Sequence, residues 1–206
     1  MKQLSLISAG ILASVAVSWA GLVLVSQVQL AGLAPAPAED GGPLKPSAVP
    51  GQAVIGKDVY IAQGCVACHT QQVRPNGIGG DISRGFARRP SVARDYILQD
   101  RVLLGESRLG PDLTDVGSRA TDEDRLHLQL FDPRAVTPGS AKPAYRHLYQ
   151  LVPAAQARHA LRLPAGHPDA APAGMAWVPT ERATALVAYL RSLRIDHASP
   201  EAPLPE

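Results

Sequence analysis

The hydrophobic pattern sets a long apolar segment at the N-terminus apart from a mixed remainder. No charged residue occurs from Gln3 to Ala38, and the strongly apolar part runs from Leu4 to Val25. A helix that crosses a bilayer needs about 20 such residues, whereas the apolar core of a cleaved signal peptide has roughly 7–15. The segment therefore predicts an uncleaved transmembrane anchor over residues 1–30, with cleavage around residues 31–38 as the alternative.

Three later segments have a helical pattern. Gly56–Gln63 is predicted as a short helix, and Asp122–Phe131 as a second one, with Thr121 or Asp122 as its N-cap and acidic residues in its first turn. The last helix follows Pro179, and Thr180 is its predicted cap. Its apolar residues recur at helical spacing on one stripe: Ala183, Leu186, Val187, Leu190 and Leu193.

The rest of the chain lacks a clear periodicity. A further short helix is predicted around 92–98, residues 133–179 are expected to be mostly loop, and no β-strand pattern of any length is found. These patterns predict a mainly α fold with long loops.

The composition divides the chain further. Residues 31–50 are rich in proline and predict a semi-extended linker, residues 51–195 a single domain, and residues 196–206 a disordered tail. Only 4% of the residues are aromatic, with 19 Pro and 18 Gly. A small domain with so few large apolar side chains usually needs an additional stabilising group.

The net charge of the chain excludes few classes of function. The formal net charge is +2, and the arginines between residues 84 and 108 have neither regular spacing nor interleaved aromatic residues. They are predicted to lie on a solvated loop rather than on a nucleic-acid surface, although an acidic partner remains an alternative.

The two cysteines of the chain lie in one motif, Cys65-Val66-Ala67-Cys68-His69. This C-x-x-C-H spacing is typical of c-type haem attachment, in which both thiols bind the porphyrin vinyl groups and His69 binds the iron. A zinc site would need a second pair of ligands, and the remaining histidines are scattered. A thioredoxin-like motif would need a βαβ pattern, which is absent. The motif therefore predicts one covalent haem c.

The haem motif also predicts the compartment. Lys2 is the only charge before the apolar segment, so the charges that flank the anchor determine its orientation weakly. Bacterial cytochromes receive covalent haem on the outer side of the inner membrane. The expected arrangement is a single-pass inner-membrane protein with its globular domain in the periplasm.

The sixth iron ligand has several candidates. Met175 precedes the last helix in the segment APAGMAWVP, a placement that resembles the ligand loop of small class I cytochromes c. Methionine ligation favours the reduced iron and raises the potential.

Four segments of the chain, taken in order, resemble one family. They are GKDVYIAQGCVACHTQQVRP, LGESRLGPDLTDVGSR, HLQLFDPRAVTPGSAKPAYRHLY and TALVAYLRSL. Together with the anchor they resemble the membrane-anchored monohaem subunit (subunit II) of cbb3-type cytochrome c oxidases over residues of about 55–194. The resemblance implies a class I-like cytochrome c domain that passes electrons to the haem-copper catalytic subunit, beside other cytochrome c subunits, without reducing oxygen itself.

The resemblance also implies roles for single residues. Pro111 would accept a hydrogen bond from His69 through its carbonyl, and Arg74, Arg119 and Arg134 are candidate partners of the haem propionates.

One position departs from the family, because Lys142 stands where the family normally has its ligand methionine. Met175 is predicted to replace that ligand. Lys142 is the rival, and a histidine such as His147 or His127, or an open site, completes the alternatives. The functional alternatives are a stand-alone anchored cytochrome, a subunit of a related enzyme such as nitric oxide reductase, and a haem-based ligand sensor.

Overall fold

The structure is a computed structural model that describes residues 2–38 and 41–205. Met1, Glu39, Asp40 and Glu206 lie outside the described residues, so the predicted anchor, linker and tail are each described except for these positions. Helices account for 41% of the chain, which agrees with the mainly α fold expected from the sequence.

The N-terminal apolar segment forms one continuous helical rod. It consists of helix α1 (Lys2–Trp19), a π-helical turn (Ala20–Leu24) and helix α2 (Val25–Ala31). The stretch Gln3–Ala31 has 29 residues and a mean hydropathy of 2.0, and none of it is buried against the rest of the chain. Within residues 2–38 and 41–205 it is the one helix long and apolar enough to cross a membrane, by length and composition.

The linker and the tail meet on the surface of the domain. Strand β1 (Ala36–Pro37) pairs with the antiparallel strand β2 (Leu44–Lys45). The guanidinium of Arg94 donates to the carbonyl oxygen of Ala34 and forms an ion pair with Glu201 at 2.6 Å. Ser199 and Ala202 are buried. The described part of the tail therefore differs from the disordered tail expected from its composition, because specific contacts hold it.

Helices α3 (Gly51–Ala62) and α7 (Glu181–Ser192) form the centre of the domain. They pack closely because Gly56 lies against the backbone of Ala185, where a Cβ atom would overlap the Ala185 carbonyl group. The rings of Tyr60 and Tyr189 meet edge to face, with centroids 5.4 Å apart.

Three shorter helices complete the domain: α4 (Val116–Arg119), α5 (Glu123–Phe131) and α6 (Pro133–Val136). Helices α4 and α5 contribute to one apolar core together with α7. Its members on α5 and α7 are Leu126, Leu130, Phe131, Ala183, Leu186, Val187, Tyr189 and Leu190.

The helix caps agree with the sequence analysis. The Asp122 carboxylate accepts from the backbone N–H of Arg125 at 3.1 Å, and the Thr180 hydroxyl accepts from that of Ala183 at 3.4 Å. The predicted stripe of α7 faces inward, since four of its five members are buried: Ala183, Leu186, Val187 and Leu190.

The prediction of a strandless chain is wrong. Strand β3 (Tyr149–Pro153) pairs antiparallel with strand β4 (Met175–Pro179), with Tyr149 opposite Pro179 and Pro153 opposite Met175. Both strands end in proline, and neither alternates between buried and exposed positions. The period-two signal of a half-buried strand is therefore absent from the sequence. Met175 lies on a strand, not in the loop expected from its neighbours.

The helix predicted around 92–98 is also wrong in type, because residues Ala93–Tyr96 form a single 3₁₀ turn. The carboxylate of Asp95 accepts from the backbone N–H of Val92 at 2.9 Å and binds the guanidinium of Arg89 at 2.7 Å. These contacts favour a tight turn over an extended helix.

Candidate functional site

The C-x-x-C-H motif lies in one tight turn after helix α3. Gly64 ends the helix with a φ of 68°, a left-handed conformation that glycine adopts readily. Residues Cys65–Ala67 then form a 3₁₀ turn, and the backbone N–H of His69 donates to the carbonyl of Cys65 at 3.0 Å. Both cysteines are free thiols and half-buried. Two thiols and one imidazole therefore come from a single turn of chain.

The His69 ring is held by one hydrogen bond and one close contact. Its Nδ1 lies 2.8 Å from the carbonyl oxygen of Pro111. Because a carbonyl only accepts, Nδ1 carries the proton, and the lone pair of Nε2 is left to bind a metal. A Cβ atom on Gly110 would overlap the imidazole, so the ring lies close against the glycine.

Residues 104–114, here called the Pro111 loop, are bound to the motif by backbone hydrogen bonds. Their pairs are Gln71 N–H to Leu104 O, Glu106 N–H to Val66 O, Gly110 N–H to Cys68 O, and Leu113 N–H to Thr70 O, at 2.8–3.0 Å. Gly105 approaches the backbone of His69 and Thr70 with a φ of 91°. The Pro111 loop therefore fixes the position of Pro111 relative to His69.

Asp112 organises this loop from the inside, and the sequence analysis did not single it out. Its buried carboxylate accepts from the hydroxyl of Thr70 at 2.6 Å and from the backbone N–H of Gln72 at 2.8 Å. It also accepts from the backbone N–H and the hydroxyl of Thr114. Its position directly after Pro111 was the available signal, because a carboxylate in a tight loop often binds nearby N–H groups.

Burial sets the protonation of the motif. It lowers the pKa of His69 and so favours the neutral imidazole, which is the form that binds a metal. Burial also raises the pKa of the Cys65 thiol. The charge of Lys142 acts on both groups: it lowers the pKa of Cys65 and contributes to the lowering for His69.

Residues 137–145, here called the Lys142 loop, bring a cation to the motif. The Tyr145 hydroxyl interacts with the Cys65 sulfur, and the Tyr145 backbone N–H donates to Leu130 at 2.8 Å. Lys142 is half-buried, and burial lowers its pKa to about 8. The structure thus brings Lys142 close to Cys65 and His69.

The other candidate iron ligands each make contacts of their own with residues outside the motif. Met175 pairs with Pro153 at the end of the β3–β4 hairpin that is remote from α7. His147 Nε2 lies 2.8 Å from the amide oxygen of Gln63, and the buried His127 binds the Tyr149 hydroxyl through Nδ1 at 3.0 Å. The prediction that Met175 binds the iron stays a prediction.

The three arginines considered for haem propionates have different surroundings. Arg74 forms an ion pair with the buried Asp81 at 3.2 Å, and Arg108 binds the same carboxylate at 2.7 Å. Arg119 donates to the backbone carbonyls of Phe86 and Asp112. Arg134 is exposed on α6. Of the three, Arg119 is the one whose charge contributes to the lowered pKa of His69. Arg74 stays a candidate partner of the haem propionates.

A second polar cluster joins the loop between the two strands of the hairpin to Asp132, at the start of α6, and to Arg146, which precedes β3. His167 Nε2 lies 3.0 Å from Asp132, and Arg146 forms an ion pair with Asp169 at 2.6 Å. The backbone N–H of Asp169 donates to His167 Nδ1 at 3.1 Å. Because both carboxylates have cationic or N–H partners and both ring nitrogens are engaged, this cluster holds the loop in place.

The residues around the motif fit a haem. Half-buried apolar side chains pack against the core beside the motif and on the neighbouring loops: Ile61, Val66, Tyr145, Leu161, Leu163 and Trp177. The donors are two thiols, one neutral imidazole with a free Nε2, and the amine of Lys142. A haem, which is a planar apolar group that carries an iron, fits these donors and the apolar side chains beside them.

The family comparison agrees with this donor set. A family model described as cytochrome c oxidase, mono-heme subunit/FixO matches residues 8–164. The chain belongs to this family. The match covers the helical rod from residue 8 onward, the haem motif, Pro111 and Lys142, and it ends before Met175. The resemblance to the monohaem subunit of cbb3-type oxidases is therefore confirmed.

A search of the curated proteins found no match to the chain. The family supports a haem-carrying cytochrome subunit of a respiratory oxidase, and hence association with its catalytic subunit.

Proposed function

We propose that this chain is a membrane-anchored, monohaem c-type cytochrome that passes electrons to the haem-copper catalytic subunit of a cbb3-type terminal oxidase. The observation that carries the proposal is the single turn that presents Cys65, Cys68 and His69 together, with His69 Nε2 free. Membership of the mono-heme subunit family supports it independently.

The haem, when bound, supplies the one-electron redox centre. Cys65 and Cys68 would hold it by thioether bonds, and His69 would bind the iron through Nε2. The Pro111 carbonyl orients His69 by accepting a hydrogen bond from its Nδ1–H. The close contact with Gly110 limits how the ring can move. The half-buried apolar side chains beside the motif would supply apolar contacts to the haem.

The proposal includes a domain organisation. Residues 1–30 anchor the chain in the bacterial inner membrane, residues 31–50 form the linker, and residues 51–195 form a class I-like cytochrome c domain in the periplasm. The 29-residue apolar helix supports the anchor, and the packing of α3 across α7 next to the motif supports a compact haem domain. Arg74 is proposed as a haem-binding side chain, and Met175 and Lys142 compete as the sixth ligand.

A haem stain after denaturing gel electrophoresis tests the cofactor. The stain should remain on the polypeptide of the wild-type chain and disappear in the double variant Cys65→Ala, Cys68→Ala. Extraction of the wild-type colour into acidified acetone would contradict covalent attachment.

Purification from mildly solubilised membranes tests the partner. The chain should be recovered together with a multi-span subunit that holds haem and copper, and it should resist extraction by carbonate. A chain that purifies alone, with full haem content, would favour the stand-alone cytochrome.

A further inference from the structure

We infer that Lys142 is the sixth ligand of the haem iron in this chain, bound through its Nζ nitrogen. The inference rests on the proposed function, because it requires a haem attached at Cys65 and Cys68. It reverses the preference for Met175 that the sequence favoured.

Tyr145 determines where the Lys142 loop lies. Tyr145 fixes the loop at two points, through its backbone N–H to Leu130 and through its hydroxyl to the sulfur of Cys65. Lys142 comes three residues earlier and acts on both Cys65 and His69. The loop therefore lies close to the motif, and the hydrogen bond from His69 Nδ1 to the Pro111 carbonyl joins His69 to the Pro111 loop.

The surroundings of the Lys142 amine differ from those of Lys57. Among residues 2–38 and 41–205, no carboxylate forms an ion pair with it, and its one hydrogen bond is made by its backbone N–H to the Ser140 hydroxyl. Lys57, by contrast, pairs with Asp100 at 2.7 Å. Within the part of the chain that the structure describes, the Lys142 amine is therefore not engaged by another side chain and is available to an iron held at His69.

The rival ligands are each engaged in contacts of their own. Met175 stands opposite Pro153, four residues along β4 from Pro179, which is about 13 Å of strand from the end that joins α7. His147 is held by Gln63, and His127 is buried against Tyr149. Each rival would need its present contacts to be broken or its strand to be displaced.

The binding step is balanced without a further reactant. The ammonium of Lys142 releases one proton to solvent, and the nitrogen lone pair forms the bond to iron. No electron is transferred in this step. Since a nitrogen ligand lacks the preference of a thioether for reduced iron, the potential should lie below that of a methionine-ligated variant.

The test uses the full-length, detergent-solubilised holoprotein and its absorption and electron paramagnetic resonance spectra. The wild-type iron should be low-spin and six-coordinate, without the methionine–iron charge-transfer band. Lys142→Ala should turn it high-spin and allow carbon monoxide to bind the reduced form. Lys142→Arg should do the same, because arginine keeps the positive charge but cannot lose its proton to bind iron.

Three further variants complete the set. Lys142→Met should restore a low-spin iron with the charge-transfer band and a raised potential. Met175→Leu and Lys57→Ala should leave the wild-type spectrum unchanged, the latter as a matched lysine control. If Lys142→Ala does not accumulate, Lys142→Arg and Lys142→Met still decide the ligand.

Several results would overturn the inference. A charge-transfer band in the wild type that Met175→Leu removes would identify methionine. A low-spin spectrum retained in Lys142→Arg would show that only the charge matters, as in pairing with a propionate. A wild-type iron that is already high-spin would show that no side chain occupies the sixth position. A wild-type polypeptide without haem stain would instead refute the proposed function.

Discussion

The Pro111 loop and the Lys142 loop approach the haem motif in different ways. The Pro111 loop is bound by four backbone hydrogen bonds and by the buried carboxylate of Asp112. The Lys142 loop is bound through Tyr145 and carries an amine that makes no ion pair with any of the residues described. The Pro111 loop, which orients His69, is therefore fixed at many points, whereas the Lys142 loop is held at few.

The largest expected effect is that of Asp112→Ala in the rigid loop. The substitution leaves the Thr70 hydroxyl and the N–H groups of Gln72 and Thr114 without their acceptor. We expect the free energy of unfolding to fall by about 3–5 kcal/mol, since several buried donors lose their partner at once. Urea titration of the solubilised protein measures it.

The matched control for that substitution is Asp58→Ala, at an exposed position of α3, which should cost less than about 0.5 kcal/mol. Equal losses for both variants would show that the Pro111 loop is not specially dependent on Asp112.

A smaller effect is expected from Gly110→Ala. The new Cβ atom would overlap the His69 ring, and relief of such overpacking costs about 1–3 kcal/mol. Because the ring must shift, we also expect a lower yield of holoprotein, measured as haem absorbance per polypeptide. Gly80→Ala is the control, since its nearest contact would be the Ser83 hydroxyl at 3.5 Å, and a normal yield is expected there.

The Lys142 loop should respond more weakly. Tyr145→Phe removes the hydroxyl contact with Cys65 but keeps the ring and the backbone hydrogen bond to Leu130. We expect a loss of about 0.5–1 kcal/mol in the free energy of unfolding. A loss as large as that of Asp112→Ala would mean that the Pro111 loop and the Lys142 loop are equally fixed.

The smallest effect concerns the tail, which is held by exposed charges. Hydrogen bonding to Arg94 lowers the pKa of Glu201 from its ordinary 4.5 to about 2. The ion pair therefore contributes its full stabilisation above about pH 5, and this contribution is lost as the pH falls from 4.5 through 2.

The thermal midpoints of the wild type and of Glu201→Gln measure this loss. They should differ slightly at pH 6 and converge at pH 3, where much of the contribution is gone. A constant difference between the two midpoints over this range would show that the Glu201 carboxylate does not act through its charge.

Local sequence patterns determined much of this protein. The uncharged N-terminal run predicted the apolar helix, the stripe after Thr180 predicted α7, and C-x-x-C-H predicted the haem motif. Each signal lies within a few turns of chain, so local spacing and burial are sufficient to define it. The hydrogen bond from His69 to Pro111 was also expected, although from the family resemblance rather than from spacing.

Only the tertiary structure decided which distant residues meet at the motif. Tyr145 and Lys142 are about eighty residues from Cys65 in the sequence, and no local pattern announces that they lie beside it. Met175 had the more familiar sequence surroundings, but pairing with β3 places it on a hairpin whose strands end in proline and do not alternate. Such contacts depend on how the loops pack around the α3–α7 pair, because packing joins residues that sequence spacing keeps apart.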